Sequence, residues 1–489
     1  MNALFFRPSE GWFGDVMPFV EDGICHLYYT HLDFDDEGSP TRSKRLKWAH
    51  LSTRDFVDFT EHATAIPAGE ADQPDLLVGA GSVVGPVDGQ YHAFYVGINP
   101  HAVERGEAEQ VVLRATSTDL ETWVKDPDFR FEADPRWYHR DAWRDPFVMP
   151  ATGGGWRMLL CAQKDVTPAR RGGAVGMAVS ADLDHWEAQP PRFAPGTTLA
   201  PECPEEFELD GRSYLLYSTY SDRFAVRHRV REGEQWFAPA WDALDANDLY
   251  AATSVEVEGR RLLVGWLATR SGEGDRGKRQ WGGDLVVHEL IARLDGSLGA
   301  RPLASRLEAF DEVEASIRPR QGEWTVAGRA ARGRTAPGAS FAWASLTELD
   351  RADDRAVLVR ATVRIDETAE ESGFAIQAAD DFTSAYLLRF EPARGRFVFD
   401  RRPHRIEVPF DHDADRGYVS DPDFEIERPL APRAEHEVTI IVEGSCISVY
   451  VDDVALTTRG YDLQGGSIGA YVSSGAIDVS GLSVGKWGC

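Results

Sequence analysis

Three acidic residues stand at similar intervals before a glycine turn. Asp15 precedes Gly23 by eight residues, Asp145 precedes Gly155 by ten, and Glu202 precedes Gly211 by nine. Two carboxylates brought close together can hydrolyse a glycosidic bond, one as general acid and the other as nucleophile or base. A third anion beside them can stabilise the cationic transition state. Any single Asp or Glu is more often a turn cap or the partner of a neighbouring Arg. Three at one phase of a repeat point to a shared site.

The elements that must position them are hairpins. EDGICHLYY (21–29), VDGQYHAFY (87–95), GGGWRMLL (153–160), LDGRSYLLY (209–217) and VEGRRLLVGW (257–266) each join a Gly turn to an aromatic and aliphatic run. Asp-Gly and Gly-Gly are strong hairpin signals because the turn needs positive φ. The turn glycines Gly23, Gly89, Gly155, Gly211 and Gly259 are 66, 66, 56 and 48 residues apart. A second marker keeps step: STRDFVDF, STDLETW and SADLDHW, with Asp55, Asp119 and Asp182 spaced by 64 and 63. Such a period predicts an all-β chain with a five-bladed β-propeller over 1–300. The first strand of each blade would line the central channel and bring the three acids to one spot on the axis. Residues 301–320 read as a linker with a short helix. From 321 to 489 short alternating strands such as RAVLVRATVRID (355–366) and HEVTIIVEGSCISVYVDD (436–453) predict a β-sandwich. Asp452-Asp453 reads as a tight turn, and 402–435 as a long surface loop.

Composition narrows the partners. The chain has 489 residues, 43% hydrophobic and 11% aromatic, with a net charge of −28. An acidic surface disfavours nucleic acid and anionic membranes. No apolar run approaches a membrane span, and the first residues lack the basic start and long apolar stretch of a secretion signal. Cys25, Cys161, Cys203, Cys446 and Cys489 are scattered without zinc spacing, which fits a reducing cytoplasm. No metal site and no cofactor are expected. The expected partner is a small-molecule or oligosaccharide substrate. The sandwich could serve as a carbohydrate-binding or dimerising module, a structural buttress being the plainer reading.

GWFGDVMPF (11–19) followed by DGICHLYY, WRDPF (143–147), PECPEEF (201–207), DLYAATSVEVEGRRLLVGWL (248–267) and RQWGGDLVVHEL (279–290) together resemble glycoside hydrolase family 32, the fructan hydrolases and invertases. The segments occur in that family's order, and IIVEGSCISVYVDDVALTTR is similar to its C-terminal sandwich. The resemblance implies a retaining enzyme cleaving β-fructofuranosides by double displacement. Asp15 would be the nucleophile, Glu202 the general acid and then base, and Asp145 the transition-state stabiliser. Arg144, Trp12, Ser82, Tyr250 and Trp281 would contact the sugar. Gly14, Val16, Thr30 and Gly79-Ala80 depart from the family pattern. Their small size predicts a reshaped pocket, open to a modified, cyclic or phosphorylated fructoside.

Two other readings stay open at this level. An inverting arabinofuranosidase or xylosidase resembling family 43 would share the five blades and three acids, with a wider separation between carboxylates. A non-catalytic carbohydrate-binding propeller would bind sugar without turnover.

Overall fold

The computed structural model describes residues 4–32, 46–336, 341–349, 355–366, 371–403, 425–473 and 475–488. The chain divides into two compact units, Met1–Ala268 with Trp281–Gly299, and Thr269–Gln280 with Ala300–Cys489. Among the described residues no helix is long and apolar enough to cross a membrane.

The first unit is a ring of five antiparallel blades. Blade one runs Trp12–Glu21, Ile24–Leu32, Lys47–Thr53 and Phe59–Glu61. The innermost strands of blades two to five are Leu77–Val87, Trp143–Pro150, Glu202–Leu209 and Leu249–Val257. Each inner strand touches the next, and the fifth touches the first. Pairing of Phe13 with Gly283 bonds blade five to blade one and closes the ring.

The hairpin turns fold as their sequences require. Asp22 and Gly23, Asp88 and Gly89, Asp210 and Gly211, and Glu258 and Gly259 are consecutive pairs at positive φ, the backbone of a two-residue hairpin turn that follows strand twist. The second repeat marker proves to be a turn device. Asp55 accepts from the N–H of Val57 and Asp58, Asp119 from Glu121 and Thr122, and Asp182 from Asp184 and His185. These Asx turns lead each third strand towards the fourth. Most aromatic residues are core: Tyr28, Trp48, Tyr95, Trp143, Tyr214, Tyr217 and Trp266 are fully buried.

Every inner strand carries a β-bulge at the same place. Two residues oppose one across Gly14-Asp15, Gly79-Ala80, Asp145-Pro146, Cys203-Pro204 and Ala251-Ala252. A bulge bends a strand and re-aims the side chains around it. Asp145, Cys203 and Ala251 lie at φ +55, +47 and +44, a backbone that L residues hold only where their surroundings enforce it.

In the second unit two antiparallel sheets make a sandwich. One sheet includes Ala476–Trp487, Val357–Ile365, His436–Glu443, Cys446–Val451 and Val454–Arg459, and the other Ala342–Leu349, Gly466–Val472, Ser372–Ala378, Ala385–Glu391 and Arg396–Arg402. Asp452, at φ +55, turns between two of these strands. The stretch expected as linker holds the one-turn helix Ala304–Glu308, but Phe310–Val313 and Arg318–Gln321 are strands that join the sandwich edges. The expected loop 402–435 is also interrupted, because Ile426–Pro429 pairs with Arg396–Arg402. Residues 404–424 of that loop, like Cys489, lie outside the described residues.

Candidate active site

The bulges place the acids. Just before the bulge, three successive blades offer Arg144, Glu202 and Tyr250 at the same register. The three form a hydrogen-bonded row. Arg144 Nη2 donates to Glu202 Oε1 at 2.8 Å, and Tyr250 Oη donates to Glu202 Oε2 at 2.5 Å. Asp145 is the first bulge residue of blade three. Its Oδ2 accepts the Cys203 N–H at 3.1 Å and lies 3.8 Å from Arg144 Nε. Asp15 is the second bulge residue of blade one, and Trp266 Nε1 donates to its Oδ1 at 2.9 Å. The acids therefore do not share one phase, as the spacing suggested. They occupy three different positions around equivalent bulges, which converge because the bulge turns them differently.

Burial and mutual repulsion control their protons. Burial, then the Asp145 charge, pushes the Asp15 carboxyl up to about 7, against the Trp266 hydrogen bond that favours its anion. Asp145 is raised to about 6, first by burial, with Glu202 adding to the rise and Arg144 and the Cys203 N–H opposing it. Glu202 accepts a donor on each oxygen, Arg144 on one and Tyr250 on the other.

Aromatic rings wall the acids. Tyr250 is buried and stacks on Phe224 at 4.1 Å and 19°. Trp266 pairs across the strand with Tyr250, and its ring lies 6.0 Å from that of Trp281. Trp12 is buried. The sequence reading missed Trp266 and Phe224; the register of Trp266 opposite Tyr250 was the available clue.

Two expectations change. Ser82 is buried, donates to Pro146 O at 2.8 Å and accepts from Val148 N at 2.9 Å, so its hydroxyl stitches blade two to blade three. It borders an axial cavity of about 350 Å³ shared with Met17, Phe147, Glu205 and Thr253, none of them among the three acids. Nor is room left open at Gly14. A Cβ there would collide with the Trp281 indole and the Thr30 hydroxyl. Thr30 is itself fully buried, and Ala80 is buried. Trp281 fills the space that a larger residue at position 14 would need. Among the described residues no group of three His, Cys, Asp or Glu side chains is arranged to hold a metal ion.

Residues 5–296 match the Glycosyl hydrolases family 32 N-terminal domain, and residues 328–485 match the Glycosyl hydrolases family 32 C terminal domain. The chain belongs to glycosyl hydrolase family 32. That membership decides against the family 43 resemblance. The family 32 chain is 24% identical over 307 residues to a sucrose-6-phosphate hydrolase of Vibrio alginolyticus, covering 58% of this chain and 60% of that protein. It spans only about half to three-fifths of the length of the first curated relatives it matches. Among solved structures, fructan 1-exohydrolase IIa from Cichorium intybus superposes with a TM-score of 0.70 at 16% identity, covering 100% of this chain and 97% of that one. A sucrose-6-phosphate hydrolase from Lactobacillus gasseri gives a TM-score of 0.72 at 16% identity, covering 100% and 93%. At these identities the structural likeness concerns the fold, a propeller followed by a sandwich.

Proposed function

We propose that this family 32 chain is a retaining glycoside hydrolase that cleaves β-fructofuranosides, in a fructan, a fructo-oligosaccharide or a modified or cyclic fructoside. The observation that carries the reading is the gathering of Asp15, Asp145 and Glu202 from three blades around the Arg144 guanidinium. Catalysis resides in 1–300, and the stretch 301–320 already gives the sandwich its strands Phe310–Val313 and Arg318–Gln321. The buried free thiols Cys25, Cys161 and Cys203 support a cytoplasmic location.

Asp15 is the nucleophile. Trp266 holds Oδ1, which leaves Oδ2 to attack the anomeric carbon as the bond to the leaving oxygen breaks. Glu202 gives its proton to that oxygen, and later takes one from the water that hydrolyses the fructosyl ester. The proton must sit on Oε2. Oε1 faces Arg144, a donor that cannot accept, whereas the Tyr250 hydroxyl can turn from donor to acceptor. Asp145, with Oδ2 on the Cys203 N–H, presents Oδ1 to sugar hydroxyls and its charge to the oxocarbenium ion.

The test is direct. Purified protein is incubated with sucrose, 1-kestose and methyl β-D-fructofuranoside, and fructose release is measured for wild type and Asp15→Ala. Release by wild type and its abolition in the variant support the reading. Absence of release from all three, or an unimpaired Asp15→Ala, overturns it.

A further inference from the structure

The acid that protonates a leaving group also fixes where the leaving group lies. The strand that pairs with Glu202 runs into the turn between the second and third strands of blade four, residues 220–224. Ser218, opposite Glu202 in the ladder, is followed two residues later by Tyr220, the first residue past the end of that strand. Tyr220 is 46% exposed, a large aromatic surface open to solvent beside a buried catalytic cluster. Its phenol interacts with the Arg144 guanidinium and lies in the field of Glu202.

The turn that carries Tyr220 is held at several points. Thr219 Oγ1 donates to Arg223 O at 2.7 Å and closes the turn on itself. Ser221 Oγ lies 3.0 Å from Thr198 Oγ1 and accepts the Leu199 N–H at 2.9 Å, tying the turn to the segment that runs into Glu202. At its other end Phe224 stacks on Tyr250, the ring that bonds Glu202. An exposed aromatic ring on a pinned turn is a preformed platform, and little entropy is lost when a ligand packs on it.

Resting on the functional reading above, we infer that Tyr220 is the platform of the leaving-group subsite and selects substrates whose leaving group is a sugar ring. The apolar C–H face of such a ring packs against the phenol, while its hydroxyls remain towards water. A small alcohol as leaving group has no face to pack and gains nothing from Tyr220.

The test compares kcat/KM for methyl β-D-fructofuranoside with that for sucrose and 1-kestose in wild type, Tyr220→Ala and Tyr220→Phe. In Tyr220→Ala the better sugar-bearing substrate should lose about three- to tenfold relative to the methyl fructoside, chiefly through KM. Tyr220→Phe keeps the ring and should retain most of the preference. Equal losses on both substrate types, no loss on either, or a Phe variant as impaired as Ala would overturn the inference while wild-type turnover left the functional reading standing. A wild type that cleaves the methyl fructoside but neither sugar-bearing one would also overturn the inference alone. A wild type inactive on all three would overturn the functional reading, and the inference with it.

Discussion

Tyr250 donates its phenolic hydrogen to Glu202 Oε2 over 2.5 Å, from a ring clamped face to face against Phe224. With Arg144 on the other oxygen, the carboxyl group is held at both oxygens. Tyr250→Phe removes that control and keeps the stacking. Loss of a hydrogen bond to a charged group is worth roughly 1.5–3 kcal/mol, or about ten- to a hundredfold in kcat. The loss should be largest for poor leaving groups, which need the acid most. A uniform loss across leaving groups in steady-state assays would show that Tyr250 only shapes the wall.

Burial sets the ionisation of Asp15 against the stability of the fold. Its folded-state pKa of about 7 lies above its ordinary value of 3.8, so the folded state prefers the protonated acid. The contribution of this group is therefore full below about pH 4 and is lost as pH rises through 7. Asp15→Asn cannot ionise. It should match wild-type stability near pH 4 and exceed it by roughly 2–4 kcal/mol at pH 8. Chemical denaturation at the two pH values measures this; an equal effect at both would mean that Asp15 is not raised.

The neighbours of Asp15 should move the pH profile in opposite directions. The acid limb of kcat/KM reports ionisation in the free enzyme. Trp266→Phe removes the hydrogen bond that favours the Asp15 anion, so the limb should shift upward by about one unit. Asp145→Asn removes the negative charge that raises Asp15, so the residual activity should show the limb shifted downward by a similar amount. Shifts of the same sign in both variants would contradict the assignment of that limb to Asp15.

Trp281 and Gly14 should behave as one unit. Gly14→Asn forces a side chain into the indole and should cost roughly 1–3 kcal/mol through overpacking. Gly14→Asn combined with Trp281→Ala should regain part of that stability, a non-additivity that thermal melting of the two single variants and the double variant would reveal. Additive losses would mean that the two residues do not contend for the same space.

How far the sequence could be read depended on whether a feature was local. The I′-type turns at Asp22-Gly23, Asp88-Gly89 and Asp210-Gly211 were legible because positive φ is written in the residue types. Repetition of those turns was enough to give the propeller. The bulges were not legible, since two residues opposing one is a property of a strand pair and not of a strand. Their trace was an inconsistency in the spacing: eight, ten and nine residues from acid to turn cannot all put side chains on one face of an ideal strand. Pro146 and Pro204, which cannot donate to a ladder, sit inside two of the bulges and were a second trace. The expected roominess at Gly14 failed for a long-range reason. The residue that fills it, Trp281, comes from blade five, and no local pattern around position 14 announces it.

If Asp15 forms a covalent fructosyl intermediate, the configuration of the first product records it. Turnover of a β-fructofuranoside in aqueous methanol should yield methyl fructofuranoside that NMR shows to be the β anomer, because two successive displacements restore the original configuration. The α anomer as first product would mean a single displacement by solvent, and Asp15 would then not be the nucleophile.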